Sequence, residues 1–232
     1  MSADPVQPYA VMLTVARKLA VVVGAGPRAV RAAKTLVAHG ADVVVISADA
    51  PDELVGMESD GLLSVETRGY IRGDLDGAFL AVIASGSSVV DAAVLEEARE
   101  SKVLANVPGD AEASDFIVPS VVRRGELQIA ISTGGMAPAT TAEVRGVIKG
   151  EFGPEWAAYV ELMGELRTLA MERTGLSDAE LAPLFASIDG SVLRDRLIAG
   201  QTITAKDLYD QNPGAVPHAA KKTKKKEAQG DG

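Results

Sequence analysis

Short apolar runs alternate with amphipathic stretches between residues 19 and 120. The runs are rich in valine, isoleucine and alanine, and in the stretches between them apolar residues recur at helical spacing. The predicted strands are Leu19–Val23, Asp42–Ile46, Leu63–Glu66, Phe79–Ala84, Lys102–Ala105 and Phe116–Val118, and the predicted helices are Ala29–His39 and Val89–Ser101. Because alternating strands and helices form a parallel sheet covered on both faces, the pattern predicts an α/β fold.

A short segment after residue 120 is predicted to pair as a strand and then to become helical. The strand is Leu127–Ser132, and Pro138 suits the first turn of the helix that follows. The apolar stripe of this helix consists of Val144, Val147 and Ile148.

From Pro154 onward the sequence predicts helices alone. These helices are Glu155–Arg173, Asp178–Ser187 and Ser191–Ala199. Ser177 and Glu180 have the spacing of a capping box at the start of the second one. Residues 213–232 hold few apolar residues and are predicted to be disordered. The chain is therefore divided into four predicted parts, namely residues 1–119, 120–152, 153–212 and 213–232.

The turn after the first strand carries the G-x-G-x-x-A form of the dinucleotide fingerprint, from Gly24 to Ala29. Gly24 permits a tight turn, Gly26 lets the backbone approach a pyrophosphate, and Ala29 allows the helix to pack closely on the strand. The backbone N–H groups at the helix start then face the phosphates. Since the motif stands between a predicted strand and a predicted helix, it indicates a Rossmann-like domain that binds a dinucleotide.

The end of the second strand determines which dinucleotide is expected. An acidic residue there normally binds the ribose hydroxyls. This strand is followed by Ser47, Ala48 and Asp49, so Asp49 is either the ribose ligand or an ordinary turn aspartate. No arginine closely follows Ile46 to bind a 2′-phosphate, which favours NAD over NADP.

Composition narrows the chemistry further. The 232 residues include no cysteine and only two histidines, which excludes disulfides, thiol catalysis and a multi-histidine metal site within one chain. The net charge of −9 makes the chain a poor partner for nucleic acid. A lysine run after His218 indicates a solubilising tail or a contact with an acidic partner. Neither a membrane-spanning run nor a secretory signal is found, which predicts a cytoplasmic protein.

Several sequence blocks stand in a fixed order over residues 8 to 150. They are Tyr9–Leu13, Gly24–Ala29, Arg68–Leu75, Phe79–Ser87, Ala105–Val107, Asp115–Ser120 and Arg124–Pro138. This order resembles the precorrin-2 dehydrogenase family, the dehydrogenase and ferrochelatase part of siroheme synthases. The blocks DFIVPS and ISTGGMAP carry the resemblance most specifically.

The resemblance implies an activity, an assembly and a cofactor site. The activity is NAD-dependent oxidation of precorrin-2 to sirohydrochlorin, joined in some members by insertion of Fe²⁺. The assembly is an intertwined homodimer in which the region after Pro119 crosses to the partner. The cofactor-binding residues are, by resemblance, Gly24, Gly26, Pro27, Arg28, Ala48, Asp49, Ala84 and Ser85. Where the family has Ala-Thr-Asp-Asp, this sequence has Ala-Ser-Gly-Ser at residues 84–87 and so lacks the two acidic groups.

A second departure from the family lies in residues 106–110, Asn-Val-Pro-Gly-Asp. The family has Asn-Val-Val-Asp, and its aspartate is credited with acid and base work in both activities. Counted without gaps, Gly109 takes that place and Asp110 follows it. Either Pro108 and Gly109 re-aim the loop so that Asp110, at a partly buried tip, moves protons, or Asp110 is only a turn residue.

A Ser-Thr-Gly-Gly turn at residues 132–135 has the form of a second anion site, with backbone N–H groups and two hydroxyls before a helix. The implied tetrapyrrole substrate carries several carboxylates, for which local cations on an acidic chain are also useful. The predicted substrate-binding residues are Asn106, Ser132, Thr133, Gly134, Gly135 and Arg145.

The first functional hypothesis is thus an NAD-dependent precorrin-2 dehydrogenase of siroheme biosynthesis, with Asp110 as its catalytic residue. Three alternatives stay open. In the first, the chain is a bifunctional enzyme that also inserts Fe²⁺. In the second, it is a redox-sensing regulator that binds NAD and catalyses no reaction. In the third, it is a tetrapyrrole carrier or chelatase that does not bind NAD.

Overall fold

The computed structural model describes residues 8–215 of the chain. They form two compact units, residues 8–119 with 132–138 and residues 120–131 with 139–215. The strands are β1 (Leu19–Val23), β2 (Asp42–Ile46), β3 (Ser64–Glu66), β4 (Leu80–Ile83), β5 (Leu104–Asn106), β6 (Ser120–Arg124) and β7 (Leu127–Ile131). The helices are α1 (Pro27–Ala38), α2 (Asp52–Ser59), α3 (Ser88–Ser101), α4 (Pro138–Glu151), α5 (Glu155–Thr174), α6 (Asp178–Ala186), α7 (Gly190–Ile198) and α8 (Ala205–Gln211).

A five-stranded parallel sheet of order β3-β2-β1-β4-β5 forms the centre of the first unit. Val22 of β1 pairs with Val45 of β2 on one side and with Val82 of β4 on the other. Strands buried on both faces need apolar residues at consecutive positions, which is why these strands are valine-rich throughout. The predicted α/β, Rossmann-like fold is confirmed.

Alternate residues of the strands supply two separate cores. Val22 and Val45 face α1 and α2, where Ala33 and Leu54 are fully buried. On the other face the sheet packs against α3, through residues that include Val94. The five strands of this sheet run in the same direction, so their carboxyl ends form one edge of the sheet. That edge is the one at which open α/β sheets bind ligands.

The structure corrects the predicted strand at Phe116–Val118. That segment has no regular secondary structure in the described part of the chain, and the strand begins later, at Ser120. Pro119 has no backbone N–H to give to a ladder, whereas the next five residues find a partner in β7, with Val122 opposite Ile129. Sequence reasoning also missed α2 and α8, which are short helices of eight and seven residues.

The second unit contains the β6–β7 hairpin and helices α5 to α8 around a leucine core. Leu162 and Leu166 of α5 meet Leu181 of α6 and Leu208 of α8 there. The predicted capping box is present: Ser177 and Glu180 exchange hydrogen bonds at the start of α6. Residues 213–215 form a 3₁₀ turn, so the predicted disordered tail does not begin at residue 213, and its remainder lies outside the described residues. Within residues 8–215, no helix combines the length and the apolar character that a membrane span needs.

Candidate dinucleotide-binding site

Gly24 closes the carboxyl end of β1 in a conformation that only glycine adopts readily. Its φ is +111°, and its N–H donates to the Ile46 carbonyl oxygen over 2.8 Å, which joins the ends of β1 and β2. A Cβ at this position would overlap the Ala84 carbonyl oxygen and lie 2.8 Å from Ser85 Cα. The turn therefore presses directly against the loop that follows β4, and a side chain would force the two apart.

The start of α1 leaves its backbone donors open. Gly26 is the N-cap and provides no side-chain cap, and Pro27 occupies the first helical position. The N–H groups of Gly26, Arg28 and Ala29 have no acceptor among residues 8–215. A Cβ built on Gly26 would meet nothing within 4 Å. Open donors, the positive end of the helix dipole and free space together fit a pyrophosphate.

The loop after β4 is fixed by a residue that sequence reasoning missed. Asp91, in the first turn of α3, accepts hydrogen bonds from the Ser85 hydroxyl over 2.6 Å and from the Ser85 N–H over 3.1 Å. The same hydroxyl also accepts from the Ser87 N–H. The detectable signal was an aspartate in the first turn of a predicted helix, just after a serine-glycine turn. Ser85 is half-buried beside Gly24, at the sheet edge that should receive the cofactor.

The loop after β2 places Ala48 and Asp49 at the same edge. Both residues are exposed, and the Ser47 hydroxyl donates to the Asp49 carbonyl oxygen over 3.1 Å. Ser47 is itself tied to β3, because its N–H donates to the Glu66 carbonyl oxygen. The Asp49 carboxylate has no hydrogen bond or ion pair with any residue in 8–215, so it is available to the ribose hydroxyls.

Asn106 has a structural contact. It is 6% exposed, and its amide donates to the Phe116 carbonyl oxygen over 2.8 Å. Asp115 adds a second link, since its carboxylate accepts from the Ala105 N–H and its own N–H donates to the Ala105 carbonyl. The DFIVPS block is thus held against β5. A role for Asn106 in substrate binding stays a prediction.

Asp110 follows a tight turn beside the fingerprint. Its N–H donates to the Val107 carbonyl oxygen over 2.9 Å, and one carboxylate oxygen accepts from the Ala113 N–H over 3.0 Å. The residue is exposed, which corrects the expected partial burial of this loop tip. The Arg28 guanidinium, predicted to contact the cofactor, donates to the Pro108 carbonyl oxygen over 2.6 Å. The second carboxylate oxygen of Asp110 accepts no hydrogen bond within residues 8–215.

The Ser132–Gly135 turn belongs to the first unit and has the hydrogen bonds of a small polar nest. The Gly134 N–H donates to the Ser132 hydroxyl, and the Ala137 N–H donates to the Thr133 hydroxyl, both over 3.1 Å. Arg145 lies in the second unit, exposed on α4 and without an ion pair in the described chain. Thr133 and Gly134 are half-buried, and Gly135 is exposed.

The Arg68–Leu75 block is held by two carboxylates. Arg68 forms a two-pronged ion pair with Asp74, each hydrogen bond 2.8 Å long, and its guanidinium lowers the pKa of Asp74 below the usual range. Glu97 of α3 is 3% exposed and accepts from the Tyr70 hydroxyl and from the Gly73 N–H. Burial raises the pKa of Tyr70 far above its ordinary value, and the Glu97 carboxylate raises it further.

The described residues contain no group of three or more histidine, cysteine, aspartate or glutamate side chains that would hold a metal ion. The groups that the described site does offer are a dinucleotide turn with open backbone donors and an exposed carboxylate at Asp110.

Comparisons with known proteins point to one family. A model described as putative NAD(P)-binding matches residues 11–120, and a model described as the central part of a sirohaem biosynthesis protein matches residues 124–150. A siroheme synthase from Azotobacter vinelandii is 32% identical over 202 residues, which cover 85% of this chain and 42% of that protein. A precorrin-2 dehydrogenase from Bacillus subtilis is 29% identical over 155 residues, 67% of this chain and 95% of that protein.

The chain spans less than half the length of the siroheme synthases that it matches. Among solved structures, one described as SirC, a precorrin-2 dehydrogenase, superposes with a TM-score of 0.72 at 23% identity. The match covers 88% of this chain and 98% of that structure. The likeness establishes a shared fold.

Proposed function

We propose that this chain, which matches proteins of the precorrin-2 dehydrogenase family of siroheme biosynthesis, catalyses the NAD-dependent oxidation of precorrin-2 to sirohydrochlorin. The observation that carries the proposal is the Gly24–Ala29 turn. It combines open N–H donors and free space at Gly26 with a glycine that only fits because it has no side chain. Asp110 is the nearby carboxylate, on the turn that Arg28 contacts.

In this mechanism the N–H groups of Gly26, Arg28 and Ala29 would bind the pyrophosphate of NAD⁺, and Asp49 would bind a ribose. The cofactor held there would supply the hydride acceptor that the oxidation needs. The oxidation also releases a proton, and the carboxylate oxygen of Asp110 that accepts no hydrogen bond in the described chain takes it up. The products are sirohydrochlorin, NADH and one proton passed on to solvent.

The substrate is a polyanion and is bound through backbone donors and cations. The Ser132–Gly135 turn offers the Ser132 hydroxyl and the Gly135 N–H to its carboxylates. A role for Arg145 in substrate binding stays a prediction. These assignments rest on the chemistry of the side chains and on the order of the sequence blocks. We propose that the enzyme acts in the cytoplasm, where NAD⁺ is present. We also propose that it forms a homodimer through residues 120–152.

The experiment that tests the proposal is anaerobic incubation of the purified chain with precorrin-2 and NAD⁺. The expected result is that NADH absorbance and the sirohydrochlorin spectrum rise together in a one-to-one ratio. Fe²⁺ or Co²⁺ is then added, and loss of the sirohydrochlorin spectrum identifies a bifunctional enzyme. NADH binding without turnover contradicts the proposal and favours the redox-sensing regulator, and sirohydrochlorin binding without NAD binding favours the carrier.

Asp110→Asn tests the proton acceptor. The amide oxygen still accepts from the Ala113 N–H, so the loop keeps its shape while the base is lost. We expect kcat to fall about 100-fold with little change in the NADH dissociation constant. Glu112→Gln is the matched control, because Glu112 is an exposed carboxylate two residues away. Equal activities of the two variants would contradict the role of Asp110.

A further inference from the structure

The contact between Arg28 and Pro108 joins the dinucleotide turn to the turn that carries Asp110. Resting on the proposed function, we propose that Arg28 is a positioning residue: its guanidinium holds the Val107–Asp110 turn, and with it the Asp110 carboxylate, beside the dinucleotide-binding turn. The Arg28 Nη1 atom donates to the Pro108 carbonyl oxygen over 2.6 Å, across 80 residues of sequence.

The geometry of the Val107–Asp110 turn explains why this carbonyl is available. Pro108 occupies the second position and Gly109 the third, with a φ of +97°, and the Asp110 N–H closes the turn on the Val107 oxygen. Proline followed by a residue of positive φ defines a type II turn. A type I turn differs from it by a flip of the central peptide, which would direct the Pro108 carbonyl away from Arg28. The glycine thus selects the orientation that the arginine binds.

Gly109 also provides the space for the guanidinium. A Cβ at Gly109 would lie 2.9 Å from Arg28 Nη1 and 3.5 Å from its Cζ. The guanidinium therefore packs on a bare Cα while it donates to the preceding carbonyl. Both residues of the Pro-Gly pair contribute to holding the arginine.

The turn passes this constraint on to Asp110. The Asp110 backbone N–H, its carbonyl oxygen and one carboxylate oxygen are all engaged, by Val107, Ser114 and Ala113 respectively. The orientation of the other carboxylate oxygen consequently follows the orientation of the turn. Arg28 serves both parts of the site, because its backbone N–H is one of the open donors at the start of α1 and its side chain holds the turn.

The test compares Arg28→Met with Arg28→Lys, and uses Arg31→Met as the control. Arg31 is an exposed arginine one turn further along α1, and its side chain has no hydrogen bond or ion pair in the described chain. Three quantities are measured on the full chain: amide hydrogen exchange of residues 107–114, the NADH dissociation constant, and kcat.

For Arg28→Met we expect exchange in residues 107–114 to rise about tenfold and kcat to fall about tenfold, while NADH affinity changes less than about threefold. Arg28→Lys keeps one donor and should recover part of kcat. Arg31→Met should match the wild type.

A second variant keeps the test independent of any cofactor contact by Arg28. Gly109→Ala disfavours the positive φ and so favours the flipped peptide, which should reproduce the loss of kcat. In the double variant the two effects should not add, because both remove the same contact.

Three results would overturn the positioning role. One is a tenfold loss of NADH affinity in Arg28→Met with normal kcat at saturating NAD⁺, which would make Arg28 a phosphate ligand. The second is faster amide exchange of residues 107–114 in Arg28→Met without a change in kcat. The third is that Arg28→Met changes neither the exchange nor kcat. A wild-type chain that does not oxidise precorrin-2 would overturn the proposed function and the positioning role together, whereas an active wild type with an unaffected Arg28→Met overturns the positioning role alone.

Discussion

Two glycines of the fingerprint serve different purposes, and the structure separates them. Gly24 has a φ of +111°, and a Cβ there would meet the backbone of Ala84 and Ser85. Gly26 has a φ of −67°, which suits any residue, and its Cβ position is open. The first glycine is therefore required by the fold itself, and we propose that the second is required by the ligand.

We accordingly expect alanine to lower the stability of the fold at Gly24 and the affinity for NADH at Gly26. Gly24→Ala should destabilise the fold by about 2 kcal/mol or more, because neither backbone neighbour yields easily. Gly26→Ala should keep the unfolding temperature of the wild type. It should bind NADH about tenfold more weakly, because the methyl group occupies the space of the pyrophosphate. Thermal unfolding and NADH fluorescence titration measure the two effects. Wild-type NADH affinity in Gly26→Ala would show that the pyrophosphate binds elsewhere.

At the scale of elements, α3 organises the loops at both of its ends. Its first turn supplies Asp91 to the Ser85 loop, and its later turns supply Glu97 to the Arg68–Leu75 block. A buried carboxylate that accepts from a hydroxyl and from backbone N–H groups is costly to leave unpaired, so the block and the helix should form together. The Arg68–Asp74 pair closes the same block from within.

The Arg68–Asp74 pair should make this block sensitive to acid. The hydrogen bond from Arg68 lowers the pKa of Asp74 in the folded chain below its ordinary value of 3.8. The stabilisation is therefore present above pH 3.8 and is lost as the pH falls through the folded-state pKa. Asp74→Asn should lower the urea midpoint near neutral pH and converge with the wild type in acid. Urea titrations across the acid range measure this, and a constant gap between the two proteins would contradict it.

The second strand of the hairpin was predicted within a residue, yet its partner was not. β7 is apolar at every position except Gln128, whereas β6 ends in Arg123 and Arg124 and contains only two valines. Its strand character depends on pairing with β7, which a pattern along one segment does not reveal. The sequence pattern also misses α2, because a helix with Leu54 as its one buried residue has no apolar stripe to detect.

At the scale of the molecule, each unit has a core of its own, but α4 contributes no residue to either core. No residue of α4 is buried, and Val147 is 60% exposed on its apolar stripe together with Val144. Exposed apolar stripes of this kind are typical of association surfaces. This supports the proposed homodimer through residues 120–152.

The proposed homodimer predicts the oligomeric state of the wild type and of variants on the α4 stripe. Wild-type chain should elute as a dimer in size-exclusion chromatography with light scattering, and Val147→Asp should elute as a monomer because it places a charge on the stripe. Ala142→Asp is the control, since it adds the same charge on the opposite side of the exposed helix. Dimers of both variants, or a monomeric wild type, would contradict the proposed interface.

The sequence by itself determined the five strands of the parallel sheet, the fingerprint turn and the family resemblance. These follow from local signals, namely apolar periodicity, glycine placement and the order of short blocks. Only the tertiary structure decided that Asp91 holds Ser85, that Glu97 holds the Arg68–Leu75 block, and that Arg28 reaches Pro108. Polar contacts between distant segments depend on how the elements pack, and no pattern along the chain records which donor meets which acceptor.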